Sequence, residues 1–428
     1  MVNEISFEIE GFGPINYASI EVNQINILGG INSSGKTTSS KLLYSFLTSI
    51  SQEGNQLADK SINKRLMRIL FMLESVFQEN NEVSLKLEQI FNFINRSDYE
   101  KILNILTEIL ESNDFENKQT FEKDLKQLKK IINLNKTEAK YGYILDEVLL
   151  SEFRINKYPQ DFKVSFKGNF NGNKFDYNLN SNNNKLRGML KLGKLDSLIF
   201  DEIIYIDSSS ILDSFNDPFS DISFFKPTVT TPFHIQNLSK KLTSKQEIDV
   251  YGKEFFKEIE PIKQNLERII EGKIEFDHEK NEFIYKTRNN EFPMNNTASG
   301  IKQMGILYVL LDKAIINNKS FVFIDEPEVN LHPEWQVELA KLIISLSKHS
   351  DITFYINSHS SFFIEAIEIF SEYYEMKDKT NFYLTEKKEN KRYDIKKVDF
   401  DEIYKLYENL GNPFKTLNEY RIKNRLKE

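Results

Sequence analysis

Cysteine is absent from the sequence, which excludes disulfide bonds and metal sites built from thiolates. The chain also has no run of about 18 apolar residues, so no segment is expected to span a membrane. Its first residues lack the basic and apolar regions of a secretory signal. Together these absences predict a protein of the reducing cytoplasm, without membrane contact.

An excess of positive charge is lacking as well. The 64 acidic side chains outnumber the 56 basic ones, which gives a net charge of −8. Contact with nucleic acid would therefore need local basic patches. Basic residues cluster in residues 387–392 and again in 421–427. Such charge runs are usually solvated faces, and contact with DNA or a partner is the alternative.

A phosphate-binding loop is present near the N terminus. Residues 30–37 are Gly-Ile-Asn-Ser-Ser-Gly-Lys-Thr, which matches the pattern G-x-x-x-x-G-K-[ST]. An apolar strand (25–28) precedes the loop and a helix with an apolar face (42–47) follows it, as the motif requires. Lys36 is expected to reach the β- and γ-phosphates and Thr37 to ligate Mg²⁺. The alternative, a surface turn rich in Gly and Ser, is disfavoured by these flanking elements.

Two later apolar strands end in residues that suit nucleotide hydrolysis. Residues 321–324 lead into Asp325 and Glu326, as in a buried parallel strand with carboxylates at its C-terminal edge. P-loop enzymes use such an Asp for Mg²⁺, and the next Glu suits a general base that activates water. Strand 352–356 leads toward His359, which is expected to hold the attacking water and sense the γ-phosphate. The alternatives are an ordinary acidic strand end and a structural histidine.

A Ser-Gly pair, Ser299 and Gly300, precedes an apolar helix over 306–316. A helix that starts in this way has an anion-binding N terminus, with a simple N-cap as the alternative.

The chain divides by pattern into four regions. Residues 1–49 hold three strands and the phosphate-binding loop, and 50–150 change to helical spacing. Strands and helices alternate over 151–400, including a loop predicted at 180–184, and 401–428 form a helical tail. The predicted fold class is α/β, a mixed sheet with flanking helices that carries a helical insertion. Whether the insertion only packs or also binds a partner is left open.

The order of these motifs resembles an ABC-type ATPase head of the soluble branch that includes the Rad50, SMC, RecF and OLD proteins. The runs 11–15 and 325–336 are most similar to the AAA15/AAA21-type ATPases of bacterial antiphage systems. Among these, the sequence looks most like the ATPase subunit of Septu-type systems, which act with a nuclease partner. The resemblance covers residues 1–48 and about 200–375, and it does not extend to the helical insertion.

This resemblance implies a site in which two heads sandwich two ATP molecules. Lys36 and Thr37 would bind phosphate and Mg²⁺, with Asp325 completing the metal shell. Glu326 would polarise the water, and His359 would be the switch histidine. The other phosphate-binding positions that the resemblance implies are Gly30, Asn32, Ser33, Ser34, Gly35 and Thr38.

The resemblance also assigns residues to the dimer interface. Ser299 and Gly300 would reach the γ-phosphate of ATP held by the other protomer, and residues 330–331 fall where the family's D-loop crosses the interface. The family pattern Ser-Gly-Gly-Gln is altered here, because Ile301 and Lys302 follow the pair. Lys302 would then supply a positive charge in trans.

The adenine platform and the magnesium-sensing glutamine are harder to place. Phe12 and Tyr17 are the aromatic residues considered for the adenine, and Gln52 and Gln56 are those considered for the glutamine.

The sequence thus predicts an ATP-hydrolysing head that acts as the sensor or regulator of a partner nuclease in antiphage defence. A homodimer or higher homo-oligomer is expected, and DNA contact is left open. No nuclease motif is recognised in the chain, so cleavage would come from another chain. Two alternatives are a DNA-repair ATPase of RecF or Rad50 type that binds DNA directly, and a scaffold that binds ATP without hydrolysing it.

Overall fold

The computed structural model describes residues 4–408 and 410, except 78–79, 95–97, 117, 135–138, 154–160, 171–172, 183–184, 193–199, 217–230 and 245–249. Its strands are β1 (Glu4–Glu10), β2 (Ile15–Val22), β3 (Ile25–Gly29), β4 (Phe162–Phe170), β5 (Asn173–Asn182), β6 (Lys185–Leu192), β7 (Glu202–Ile206), β8 (Lys273–Asp277), β9 (Glu282–Lys286), β10 (Glu291–Pro293), β11 (Ser320–Asp325), β12 (Thr353–Ser358), β13 (Thr380–Lys387) and β14 (Tyr393–Val398). Its helices are α1 (Lys36–Ser49), α2 (Gln52–Val76), α3 (Asn81–Ile94), α4 (Tyr99–Ser112), α5 (Lys118–Leu134), α6 (Ala139–Phe153), α7 (Phe233–Thr243), α8 (Val250–Ile269), α9 (Ser299–Asp312), α10 (Pro333–Ser350) and α11 (Ser361–Tyr373).

One large mixed sheet organises the described residues. Its eleven strands lie in the order β6-β5-β4-β1-β2-β14-β13-β3-β12-β11-β7, and a separate small sheet has the order β10-β9-β8. The five strands from β13 to β7 are all parallel, whereas β1, β2, β4, β5 and β6 pair antiparallel. The predicted fold class, a mixed sheet with flanking helices, is therefore confirmed.

The parallel strands are buried on both faces, which explains their nearly continuous apolar sequences. In β7, Ile203 and Tyr205 face a core that includes α1, while Ile204 and Ile206 face a core formed with α9, α10 and α11. This alternation follows the period of two along a strand. The helices on both faces fix the carboxyl edge of these strands, where the predicted site residues lie.

The helical insertion has an apolar core of its own, formed by α2 to α5. The four-three-four spacing of α5 is one of its components, because Phe121, Leu125, Leu128 and Ile132 are all buried there. The last helix of the region, α6, instead packs against α1 through Leu145 and Leu149. No helix in the described ranges is long and apolar enough to cross a membrane.

One local prediction is wrong, because residues 180–182 are strand rather than loop. Asn180, Ser181 and Asn182 pair with Arg187, Leu186 and Lys185 of β6, a strand that the sequence analysis did not find. Asparagine is depleted in strands, but here backbone pairing of β5 with both β4 and β6 outweighs that preference. In the predicted helical tail, residues 404–408 are helical, and 411–428 lie outside the described residues.

Candidate active site

The phosphate-binding loop connects β3 to α1 at the carboxyl edge, and its two glycines are required by their surroundings. A Cβ at Gly30 would lie 1.9 Å from Thr385 Oγ1, far closer than two atoms can approach. Gly35 has a φ of 99°, and a Cβ there would lie 2.7 Å from Ile15 Cγ1. The backbone can follow this path only because both residues lack a side chain.

Lys36 is folded back onto its own loop. Its Nζ donates to the carbonyl oxygens of Gly30 at 2.8 Å and Ile31 at 3.0 Å, and the residue is only 4% exposed. Burial lowers the pKa of Lys36, while the charges of Glu326, Asp325 and Glu328 oppose that effect. Because carbonyl oxygens hold the ammonium group, a phosphate can replace them without breaking an ion pair.

The loop also presents polar groups that suit a phosphate. Ser34 Oγ is buried and has no hydrogen-bond partner among the described residues. Asn32 and Ser33 are exposed beside it, and Ser33 adopts a left-handed φ of 63°. A buried hydroxyl without a partner is costly unless a ligand supplies one, so Ser34 fits a bound phosphate. Thr38 lies partly buried at the first turn of α1.

Asp325 lies at the end of β11 and joins the loop to the two neighbouring strands. Thr37 Oγ1 donates to its Oδ2 at 2.7 Å, and Asn357 Nδ2 donates to its Oδ1 at 3.0 Å. Tyr205 OH lies 3.4 Å from Oδ2. Burial raises the pKa of Asp325, and the hydrogen bonds from Thr37 and Asn357 oppose that rise.

This arrangement fits Mg²⁺. The hydroxyl of Thr37 and the carboxylate of Asp325 are oxygen ligands already in contact. Within the described ranges no group of three or more acidic or histidine side chains could hold a metal ion by itself. Mg²⁺ commonly takes one or two protein oxygens and fills its octahedron with water and substrate phosphates, so a sparse site is what it requires.

Glu326 and His359 meet at the tips of the adjacent parallel strands β11 and β12. Glu326 has a left-handed φ of 51°, and its N–H donates to Asn357 O at 2.9 Å. His359 Nδ1 lies 3.5 Å from Glu326 Oε1, and both side chains are partly exposed. A non-glycine residue held in this backbone conformation is strained, and such strain concentrates at functional sites. The carboxylate of Glu326 is therefore fixed at the edge yet open to a water molecule.

Ser299 is the first residue of α9, and no side chain caps this helix. The simple N-cap alternative is therefore not what the structure shows. Gly300 is buried, and a Cβ there would lie 3.1 Å from Asn330 O and 3.4 Å from the Trp335 ring. Among the described residues, no hydrogen bond joins Ser299 or Gly300 to the phosphate-binding loop of the same chain.

Lys302 does not lie where the sequence analysis expected it. Its Nζ is buried and pairs with Asp213, 2.8 Å from Oδ1 and 2.9 Å from Oδ2. The charge is compensated within the same chain, so this structure corrects the expectation that Lys302 faces a nucleotide in trans. The neighbouring Ile301 is partly buried against the core around α9.

The structure also corrects the suggestion that Phe12 stacks on the adenine ring. It is buried, and its ring makes edge contacts with Phe153 and Phe162, with centroids 5.1 and 4.8 Å apart. Tyr17 is 41% exposed and remains open to such a role. The side chains of Gln52 and Gln56 lie outside the described residues.

Sequence reasoning missed three residues that support the site. Asn357 and Tyr205 contact Asp325, and Glu328 lies buried beside His359. Tyr205 and Asn357 are the residues before the last of β7 and β12, and Glu328 follows β11, so their position near strand ends was the available signal. The strand order that brings them together is not visible in the sequence.

Residues 4–364 match the family model of the AAA ATPase domain. The chain belongs to this family. The ATPase resemblance inferred from the motifs is thereby confirmed at the level of the family. A comparison with curated proteins gives no match.

Several solved structures are distantly similar to this family member. The SMC head domain from Thermotoga maritima is 11% identical with a TM-score of 0.39, over 93% of this chain and 100% of that one. An SmcHead bound to the C-winged helix domain of ScpA is 11% identical with a TM-score of 0.45, over 94% and 100%. An Smc head with an extended coiled coil, bound to the C-terminal domain of ScpA derived from Pyrococcus furiosus, is 11% identical with a TM-score of 0.41, over 96% and 100%. At this distance the likeness carries no functional argument.

Proposed function

We propose that this chain hydrolyses ATP to ADP and phosphate at the carboxyl edge of its parallel strands. The observation that carries the proposal is the 2.7 Å hydrogen bond between Thr37 and Asp325, 288 residues apart in sequence. It joins the phosphate-binding loop to the acidic strand, and Glu326 and His359 follow that strand and its neighbour β12. A chain that only bound nucleotide would not need this pair of groups at the same edge.

Each residue of the site would have its own role in phosphoryl transfer. Lys36 would exchange its two carbonyl partners for phosphate oxygens, and Ser34 would donate its free hydroxyl. Thr37 and Asp325 would hold Mg²⁺, which would neutralise phosphate charge when bound. Glu326 would take a proton from the attacking water as the bond to the leaving ADP oxygen breaks, and His359 would orient the γ-phosphate.

A second copy of the chain would complete the site. Ser299 is exposed at the uncapped start of α9, whose free N–H groups suit an anion. These groups make no hydrogen bond to the loop of their own chain in the described residues. We therefore propose a homodimer, or a higher homo-oligomer, in which Ser299 and Gly300 face ATP bound by the partner.

The biological role that we propose is regulation of a partner nuclease in antiphage defence. It is supported by the similarity of residues 11–15 and 325–336 to the ATPases of such systems. Purification of the chain after expression with its neighbouring genes tests this role. A nuclease that co-purifies supports it, and purification without any nuclease contradicts it.

Direct DNA binding of the repair type is less well supported. Of the basic residues at the turn between β13 and β14, Lys388 is paired with Asp394 at 3.0 Å. Salt-dependent DNA binding by the isolated chain would favour this alternative.

Phosphate release separates hydrolysis from nucleotide binding alone. Glu326→Gln is expected to lower turnover by about 10²- to 10⁴-fold, because the general base is lost, while ATP affinity is retained. Steady-state phosphate release and nucleotide titration of both proteins measure the two quantities. A wild-type chain that binds ATP without turning it over would instead establish the scaffold alternative.

A further inference from the structure

Glu328 is a buried carboxylate next to the site. The residue is 6% exposed, and within the described residues no lysine or arginine forms an ion pair with it. Burying a carboxylate is costly unless hydrogen bonds compensate it, so such a residue needs a structural or functional reason.

The compensating bonds come from the loop that carries His359. Glu328 Oε1 accepts hydrogen bonds from Ser358 Oγ at 2.8 Å, from His359 N at 2.7 Å and from Ser360 N at 3.0 Å. Its other oxygen, Oε2, is buried and has no hydrogen-bond partner in the described part of the chain. Charge-assisted bonds to backbone N–H groups are among the stronger hydrogen bonds in proteins. One carboxylate oxygen therefore fixes the backbone on both sides of the histidine.

The same oxygen also faces the imidazole ring. His359 Nδ1 lies 3.3 Å from Glu328 Oε1 and 3.5 Å from Glu326 Oε1. It forms a well-aligned hydrogen bond with neither carboxylate. A single Nδ1–H can bond to only one of them at a time, so a small ring movement decides between the two.

Glu328 is linked through the backbone to the segment expected at the dimer interface. Val329 N donates to Glu326 O at 3.0 Å, and Leu331 N donates to Glu328 O at 3.1 Å. Between them, Asn330 has a left-handed φ of 63°, and its carbonyl packs against Gly300. Asn330 is thus only two residues from Glu328, the carboxylate that holds the loop of His359.

We infer that Glu328 is a positioning residue for hydrolysis, acting through His359. It keeps the His359 loop in place and holds a proton on Nδ1, which leaves Nε2 as the nitrogen available to the nucleotide. It also competes with Glu326 for the hydrogen bond from Nδ1–H, which leaves the Glu326 carboxylate free to accept a hydrogen bond from water. The inference rests on the proposed ATP hydrolysis and adds a residue to it.

A double-mutant cycle with His359 tests the inference. Glu328→Gln keeps an oxygen that can accept from the two backbone N–H groups but removes the negative charge that faces the ring. It is expected to lower kcat about tenfold, the scale of a lost supporting carboxylate, with the KM for ATP nearly unchanged. In a His359→Ala chain the same substitution should lower kcat by less than about twofold, because its route of action is gone.

Glu365→Gln is the matched control, since it makes the same chemical change at an exposed position of α11. It should leave kcat unchanged in both backgrounds. Thermal melts of every variant verify folding, and Ser358→Ala, which removes one donor to Glu328, is taken through the same cycle should Glu328→Gln unfold.

Equal fold losses in the two backgrounds would overturn the inference, because Glu328 would then act independently of His359. A Glu328→Gln chain with wild-type kcat would overturn it as well. In both cases the wild-type chain still hydrolyses ATP, so the proposed function survives. A wild-type chain without turnover refutes the proposed function, and the inference fails with it.

Discussion

The carboxyl edge of the parallel strands and the insertion core of α2 to α5 differ in the hydrogen bonding of their buried polar atoms. At the edge, four buried atoms have no hydrogen-bond partner among the described residues: Ser34 Oγ, Glu328 Oε2, Asn357 Oδ1 and His359 Nδ1. No described side chain of α2 to α5 has such an atom. The insertion buries apolar residues and keeps its ion pairs, such as Lys86–Glu108 at 3.1 Å, largely exposed. Four such atoms thus lie where a ligand is expected, whereas the described side chains of the insertion core have none.

A buried polar contact links α6, which lies outside the core of α2 to α5, to the end of β7. His234 of α7 bonds through Nδ1 to Glu152 of α6 at 2.5 Å and through Nε2 to Asp207 at 2.7 Å. Asp207 follows β7 and lies beside the strand that ends in Asp325. Burial lowers the pKa of His234, but the hydrogen bonds to Asp207 and Glu152 outweigh it and the pKa is raised. The comparison therefore predicts separate effects for variants in each region, and the raised pKa of His234 predicts a pH-dependent effect on stability at this contact.

The largest effect on stability is expected in the insertion. Leu128→Ala removes a fully buried side chain, so the free energy of unfolding should fall by about 2–5 kcal/mol. ATP affinity of the folded protein should not change. Chemical denaturation and nucleotide titration measure the two quantities, with Leu85→Ala, which truncates an exposed residue of the same region, as control. Weakened ATP binding by folded Leu128→Ala would show that the regions are not separate.

At the edge, Lys36→Ala should show the reverse pattern. Loss of the charged donor is expected to weaken ATP binding by about 1.5–3 kcal/mol, or about 10- to 100-fold, with little loss of stability. Lys319→Ala, at the other end of β11 and largely exposed, is the control. Isothermal titration with ATP and Mg²⁺ provides the measurement, and unchanged affinity would remove this loop from the site.

The stabilising effect of the buried His234 contact should depend on pH. Because the pKa of His234 is raised in the folded chain, its charged form stabilises the fold. Wild type should exceed His234→Gln in stability most strongly below pH 6.5, and the difference should shrink as the pH rises through the folded-state pKa. Denaturant unfolding over a pH series measures this, and His278→Gln, an exposed histidine, should show no such trend. A difference that grows with pH would contradict the assignment.

The smallest effect is expected at Tyr205, whose hydroxyl contacts Ser40 at 2.8 Å and Asp325 at 3.4 Å. Tyr205→Phe should cost about 1 kcal/mol of stability and raise the Mg²⁺ concentration needed for turnover. Tyr355→Phe removes a similar bond, to Ser39 at 3.1 Å, without touching Asp325. Only the first variant should alter the Mg²⁺ dependence. The same shift in both would mean that Tyr205 does not support the metal site.

Motifs with fixed local spacing could be recognised in the sequence. The phosphate-binding loop, the acidic pair and His359 each follow an apolar strand, so their edge location could be predicted. Strand order and register could not be predicted, because the pairing of residues such as Asp325 and Asn357 depends on contacts across the whole sheet. Lys302 was misplaced for the same reason, since its partner Asp213 lies 89 residues away in the sequence. The division into domains and the roles of the site residues remain predictions.

The central claim is that two copies of the chain build one hydrolysis site, and mixing two inactive variants tests it most directly. Lys36→Ala removes the cis phosphate contact, and Ser299→Arg blocks the contact proposed in trans. Each variant alone should lack phosphate release, while an equimolar mixture should recover part of it, because a mixed dimer contains one intact site. A mixture as inactive as its components, or full activity of Ser299→Arg alone, would contradict the account.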